Sequence, residues 1–176
     1  MYDIYVLSEQ AVTSSTGCLH HKRFGQQTLI DSVEKWRILM LKLIVGLKGS
    51  GKTKTLIEMA NAAANNTNGS VVCLEQGGKL KFDITHQVRL IDTKEYAIGD
   101  GQALYGFICG IVASNHDITD IFVDSALKIC RDNVEEFAIA IKEIADFVNA
   151  NDINCVVTSS IAPAAVPAEL HQFLQQ

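Results

Sequence analysis

The sequence has no long apolar run, no excess of basic residues and no paired cysteine motif. Lys42, Lys48 and Lys52 interrupt its most hydrophobic stretch, whereas a membrane-spanning helix needs about 20 consecutive apolar residues. The formal net charge of −5 argues against a protein that coats nucleic acid, because such proteins usually carry a basic surface. We therefore expect no membrane span, and nucleic acid is a disfavoured partner unless a local basic groove binds it.

The cysteines argue against both zinc and disulfides. Five are present, an odd number at wide spacings, without a Cys-x-x-Cys pair or matching histidines for zinc. Four of them (Cys73, Cys109, Cys130 and Cys155) lie in apolar stretches, which predicts buried thiols in a reducing compartment. The first residues also lack the basic and apolar regions of a signal peptide. We expect a cytoplasmic protein.

The composition, 48% hydrophobic and 20% charged, predicts a folded domain, but the pattern changes at Met40. Residues 1–39 show no sustained helical or strand period. Trp36-Arg37 can be encoded as TGG-AGG, which resembles a bacterial ribosome-binding site placed just upstream of the codon for Met40. We hypothesise that residues 1–39 are an extension outside the domain and that the native start is Met40; the alternative is a disordered N-terminal arm. The domain is expected over residues 40–176.

A glycine-rich loop is the strongest signal in the chain. A short β-rich run, residues 41–45, leads into the sequence GLKGSGKT at 46–53, which satisfies the pattern G-x-x-x-x-G-K-[ST]. Glycines let successive backbone N–H groups turn toward a β-phosphate, while Lys52 neutralises phosphate oxygens and Thr53 offers a hydroxyl to Mg²⁺. The candidate nucleotide-binding residues are Gly46, Leu47, Lys48, Gly49, Ser50, Gly51, Lys52, Thr53 and Lys54.

The context of the loop agrees with this interpretation. It follows a predicted strand and precedes a predicted helix with an apolar stripe from Leu56 to Ala64. At these residues the chain resembles the P-loop nucleoside triphosphatase superfamily, and more narrowly small bacterial ATP-binding proteins sometimes labelled twitching-motility ATPases. The resemblance covers about residues 40–176 and implies binding of ATP with Mg²⁺. No guanine-specific N-K-x-D motif is present, which favours adenine.

Two strand-end carboxylates are candidates for the chemistry. Residues 120–124 resemble a Walker B strand, which implies that Asp124 lies beside the metal, with Asp120 as a second candidate; the alternative is a helix-capping aspartate. Many members of the superfamily place a glutamate directly after that aspartate, but here the position is Ser125. Recombinase-type P-loop ATPases place it after the second strand, where this chain has Glu75. Lys52 and Glu75 are thus the candidate catalytic residues, although a strand-end carboxylate is often only solvated.

The remaining pattern alternates between strands and helices. We predict strands at 70–75 and 155–160, and a ribbon of two short strands at 79–84 and 88–92. We also predict three helices: one at about 102–115, one that begins at a capping box at 132–135, and one that begins at Pro167. Gly106 and Gly110 are expected to be close-packing positions. Thr158 or Ser159, at a strand end, could sense a γ-phosphate. This order predicts a three-layer α/β fold of the P-loop NTPase type, with a mostly parallel sheet and helices on both faces.

These features favour a slow Mg²⁺-dependent ATPase of unknown downstream role. One alternative is a non-hydrolysing switch, in which bound ATP alters affinity for an unknown protein partner. Another is a small-molecule kinase of the nucleoside type, which the scarcity of arginine disfavours, because Arg89 and Arg131 are the only arginines after the loop and arginine often stabilises the transferred phosphoryl group.

Overall fold

The computed structural model describes residues 40–175. The predicted N-terminal extension and alternative start lie outside these residues, so both stay predictions. The described elements are β1 (Leu41–Val45), α1 (Lys52–Asn66), β2 (Ser70–Glu75), β3 (Val88–Asp92), α2 (Gly101–Ser114), β4 (Ile118–Val123), α3 (Ala126–Ile129), α4 (Val134–Ala150) and β5 (Asn154–Ser159), followed by 3₁₀ turns at Pro163–Ala165 and Ala168–Phe173.

The five strands form one sheet in the order β1-β5-β4-β2-β3, and every neighbouring pair is parallel. The predicted α/β fold class is confirmed. Because all strands run in one direction, their carboxyl ends lie along the same edge of the sheet. The loop after β1, Glu75 at the end of β2 and Asp124 directly after β4 all lie at that edge, although they are far apart in sequence.

Helices cover both faces of the sheet. On one face, α1 buries Leu56 and Ala60 against Cys73 and Phe122. On the other face, α2, α4 and the C-terminal 3₁₀ turn pack in a larger cluster around Leu104 and further buried side chains, including Ile108, Phe137, Ile141, Ile144 and Leu170. The inner strands β2, β4 and β5 are largely buried on both sides, which explains why they are nearly continuous apolar runs in the sequence.

The predicted ribbon is wrong. Residues 79–84 form turns and not a strand, and β3 is a parallel edge strand beside β2. Side chains from other parts of the chain hold the turns: the Asn61 amide donates to the Asp83 carbonyl at 2.9 Å and its oxygen accepts from Thr85 N at 2.9 Å. These contacts satisfy backbone groups that would otherwise need a neighbouring strand.

The expected packing role of Gly106 and Gly110 is also wrong. A Cβ built on either glycine would meet no atom within 4 Å outside its own helix turn. The buried side of α2 is formed instead by its larger apolar residues, including Leu104 and Ile108. Among the helices within residues 40–175, none is both long and apolar enough to cross a membrane.

The two other predicted helix boundaries shift in the structure. The helix expected from the capping box at 132–135 is capped by Asn133, whose side-chain oxygen accepts from the N–H groups of Glu135 and Glu136. The predicted terminal helix is a 3₁₀ turn that begins after Pro167. Beyond it, Gln175 N donates to Leu43 O at 3.0 Å, so the end of the described chain pairs with the outer side of β1.

Candidate functional site

Glycines shape the loop between β1 and α1. Gly49 and Gly51 have φ values of +88° and +86°, a region that favours glycine because it has no Cβ. A Cβ on Gly46 would lie 2.7 Å from Ser50 Oγ, so a larger residue at this position would force the Ser50 side chain to move. The loop leads directly into α1, whose first turn contains no acidic residue, and the positive end of this helix is directed toward the loop.

Lys52 is the first residue of α1, and its side chain turns back into the loop. Its Nζ donates to the carbonyls of Gly46 and Leu47, both at 2.8 Å, and to Ser50 Oγ at 3.2 Å. The residue is only 9% exposed, and a buried ammonium group needs such acceptors. The loop therefore holds one positive charge at its centre, where the sequence pattern predicts phosphate oxygens.

Asp124 follows β4 and is bound by three hydroxyl groups. Thr53 Oγ1 and Thr158 Oγ1 each donate to Oδ1 at 2.9 Å, and Ser125 Oγ donates to Oδ2 at 2.9 Å. Asp124 is 7% exposed. The structure thus brings the predicted metal-side residues, Thr53 and Asp124, together across 71 positions of sequence. A hydroxyl and a carboxylate are hard oxygen ligands, so the pair fits Mg²⁺.

Thr158 joins this network and Ser159 does not. Thr158 Oγ1 accepts from Ser125 N at 2.8 Å while donating to Asp124. Ser159 is the next residue of β5 and so points to the opposite face of the sheet, where its buried hydroxyl has no partner among residues 40–175. Of the two predicted γ-phosphate sensors, the structure places only Thr158 beside the metal-side carboxylate.

Asp120 lies away from these groups. It is four residues before Asp124 along β4, which corresponds to about 13 Å at roughly 3.3 Å per residue. Its Oδ1 accepts from Asn154 Nδ2 at 3.2 Å, at the start of β5. Asp120 is therefore a cross-strand partner near the amino ends of the strands. Of the two aspartates, only Asp124 lies at the edge of the sheet where the loop is found.

Glu75 is not a solvated carboxylate. It is 1% exposed, and its carboxylate accepts from Lys79 N at 2.8 Å and from Leu80 N at 3.1 and 3.2 Å. The side chain thereby anchors the turn after β2. It lines a cleft beside β3 and not the one that Lys52 lines.

One cleft of about 580 Å³ contains the loop residues. Its lining includes five lysines and a single acidic residue, Asp132; the lysines are Lys48, Lys52, Lys54, Lys79 and Lys128. The loop pattern predicts a role for the first three lysines, whereas Lys79 and Lys128 were not predicted. Each of these lies four positions after a strand-end carboxylate, Glu75 or Asp124. Because the ends of parallel strands share one edge of the sheet, this spacing could have predicted that both lysines lie near the loop.

Two pKa shifts describe the electrostatics around the site. Burial raises the pKa of the Cys73 thiol well above its usual value, and the negative charges of Asp124 and Glu75 raise it further. The ammonium group of Lys79 lowers the pKa of Lys128, with a smaller contribution from Lys94, while Asp132 acts in the opposite direction. At this edge of the sheet the buried groups are thus the carboxylates of Asp124 and Glu75, whereas Lys79 and Lys128 place positive charge along the cleft.

Comparison with known proteins adds similarity to solved structures. No protein-family model matches the chain, and no curated protein matches it. A similar solved structure is that of the flagellar accessory protein FlaH from Methanocaldococcus jannaschii, with a TM-score of 0.47 and 16% identity over 81% of this chain and 71% of that chain. The sheet and the loop define an α/β protein with a P-loop-like arrangement.

Proposed function

We propose that this protein binds ATP with Mg²⁺ and hydrolyses it slowly. The observation that carries the proposal is a cleft lined by both Lys52 and Thr53, in which Thr53 is hydrogen-bonded to the buried Asp124 carboxylate. The loop and Asp124 both lie at the carboxyl ends of parallel strands, the usual ligand position in such sheets. The bacterial relationship and the cytoplasmic location stay predictions from the sequence.

Each part of the cleft has a chemical task in this proposal. The N–H groups of the loop and of the first turn of α1 bind the phosphates, and Lys52 neutralises them by exchanging its contacts with loop oxygens for phosphate oxygens. Thr53 and Asp124 would hold Mg²⁺, which neutralises charge that develops during phosphoryl transfer. Ser125 and Thr158 keep the Asp124 carboxylate oriented through their hydroxyl groups.

Glu75 is proposed to orient the attacking water. To do so, its carboxylate must leave the two backbone amides that it accepts from in the turn after β2. Each hydrogen bond to a charged group contributes about 1.5–3 kcal/mol, so this rearrangement would add to the barrier. The expected consequence is slow turnover.

The same geometry favours a second candidate, a switch that binds ATP without hydrolysing it. Glu75 is held in a structural contact, and the position after Asp124 is Ser125, which cannot act as a carboxylate base. ATP occupancy would then control binding of a protein partner. The kinase alternative has less support, because neither Arg89 nor Arg131 is among the residues that line the phosphate cleft.

The test uses the full chain with Mg²⁺. Equilibrium binding of ATP and release of phosphate are measured for the parent protein, for Lys52→Ala and for Glu75→Gln, with Lys142→Gln as a control for loss of one exposed positive charge. We expect Lys52→Ala to abolish binding and Glu75→Gln to bind ATP with little turnover. Circular dichroism checks that Glu75→Gln is still folded, since its side chain anchors a turn.

Each outcome has a distinct meaning. If the parent binds ATP but releases no phosphate, the switch is correct and the hydrolase is not. If Glu75→Gln is folded and turns over at the parental rate, Glu75 does not orient water. If the parent does not bind ATP, or Lys52→Ala binds equally well, the nucleotide-binding proposal is wrong.

A further inference from the structure

Lys79 and Lys128 come from separate elements and meet on one wall of the phosphate cleft. Lys79 lies in the turn after β2, and Lys128 lies on α3, the short helix after β4. Both line the cleft that Lys52 and Thr53 also line. Within residues 40–175, neither takes part in a salt bridge; the described ion pair is Lys54–Glu58.

Their proximity is unfavourable without a negative charge between them. The pKa of Lys128 is lowered chiefly because the Lys79 ammonium group lies close by, and the nearby Asp132 carboxylate does not compensate. Two like charges held together in this way are stabilised when an anion binds both. The contents of the cleft on this wall are therefore expected to be anionic.

The backbone around α3 is held in a constrained conformation. Ser125, Arg131 and Asp132 have positive φ values of 56°, 52° and 60°, in a region that non-glycine residues seldom occupy. Such residues cluster at functional sites, where the surrounding structure imposes them. Ser125 N is tied to Thr158 Oγ1, which also binds Asp124, so the segment that carries Lys128 is linked directly to the metal-side carboxylate.

We propose that Lys79 and Lys128 bind the terminal phosphate of the nucleotide and make the site prefer a triphosphate to a diphosphate. This inference rests on the proposed function. The loop amides would bind the β-phosphate and Lys52 would reach the β- and γ-phosphates, while Thr53 and Asp124 would hold a metal ion that neutralises phosphate charge. Asp124, on the metal side, leads within four residues into Lys128, so this wall of the cleft faces the terminal phosphate. The two lysines provide the positive charge that arginine often supplies.

The test compares two ligands in the full chain with Mg²⁺: a non-hydrolysable ATP analogue and ADP. Dissociation constants are measured for the parent, Lys79→Gln, Lys128→Gln and the control Lys142→Gln, which removes an exposed lysine of α4 outside the cleft. We expect each cleft variant to weaken binding of the ATP analogue about tenfold, as for the loss of one charge-assisted hydrogen bond. Binding of ADP should change less than about threefold, and the control should match the parent.

A direct measurement covers the case in which a variant does not fold. The ¹³Cε resonance of Lys128 is followed in the parent protein, with assignment from Lys128→Arg. The ATP analogue should shift this resonance, and ADP should not.

The two proposals fail in different ways. If the parent does not bind the ATP analogue, or if Lys52→Ala binds it normally, the proposed function fails. If Lys52→Ala loses binding but the cleft variants behave like Lys142→Gln, only the assignment of Lys79 and Lys128 is wrong. Equal weakening of both ligands, or an unchanged Lys128 resonance with the ATP analogue, also overturns the preference for the terminal phosphate.

Discussion

Thr158→Val tests whether the hydroxyl network around Asp124 holds the site together. Valine has the same shape as threonine but removes both hydrogen bonds of Oγ1, the one accepted from Ser125 N and the one donated to Asp124. Thr158 is 1% exposed, so no water replaces its hydroxyl without local rearrangement. The variant therefore leaves one N–H group without its acceptor and one buried carboxylate with two donors in place of three.

The magnitude follows from these two losses. A hydrogen bond to a charged carboxylate contributes about 1.5–3 kcal/mol, and an unpaired N–H group costs about 1 kcal/mol where water reaches it in part. The added methyl group recovers about 1 kcal/mol of burial. We expect Thr158→Val to lower the free energy of unfolding by about 1.5–3 kcal/mol, and we expect Thr158→Ser, which keeps the hydroxyl, to retain most of the stability.

Urea denaturation of the full chain measures this change, with the midpoint shifted and the slope m unaltered. Thr93→Val is the matched control. Thr93 is fully buried, and its hydroxyl donates to the neutral Glu75 carbonyl, which also accepts from Thr93 N. Its loss should cost less than about 1 kcal/mol, because no group is left unpaired. Equal stabilities of Thr158→Val and Thr93→Val would show that the hydroxyl network around Asp124 does not stabilise the protein.

Two further predictions concern the loop and the thiols. Gly46→Ala places a Cβ 2.7 Å from Ser50 Oγ, and such overpacking of the loop costs about 1–3 kcal/mol, so the affinity for ATP should fall about tenfold or more. The control Gly106→Ala adds a Cβ in open space on α2 and should leave the affinity for ATP unchanged. Equal affinities of the two variants would contradict this prediction. Burial raises the pKa of Cys130 to about 11 and of Cys155 to about 12, so both thiols should stay protonated at pH 8. In iodoacetamide labelling at this pH, peptide mass spectrometry should find both unmodified, while the partly exposed Cys109 reacts. Fast labelling of Cys155 in the folded protein would show that its strand is not buried.

The amino-acid pattern was enough to predict the loop and the fold class. All parts of the phosphate loop are contiguous, from the strand before Gly46 to the helix that starts at Lys52, so the local sequence is sufficient to predict the conformation of the loop. The alternation of apolar strands and amphipathic helices likewise predicts a parallel sheet, because each crossover between parallel strands needs a helix or a similarly long connection. The structure confirms this class.

The contacts between side chains that are distant in sequence became visible only in the folded structure. The turn at 79–84 depends on Asn61, which lies 22 and 24 positions before the groups that it binds, and on the buried Glu75 carboxylate, which accepts from the nearby amides of Lys79 and Leu80. The sequence does not show these side-chain contacts, and so the apolar and charged residues of the turn resembled a strand. The contact of Thr158 with Asp124 and the meeting of Lys79 with Lys128 follow from strand order and side-chain direction. Secondary structure depends on neighbours within a few residues, whereas these contacts depend on which strand ends the folded sheet places side by side.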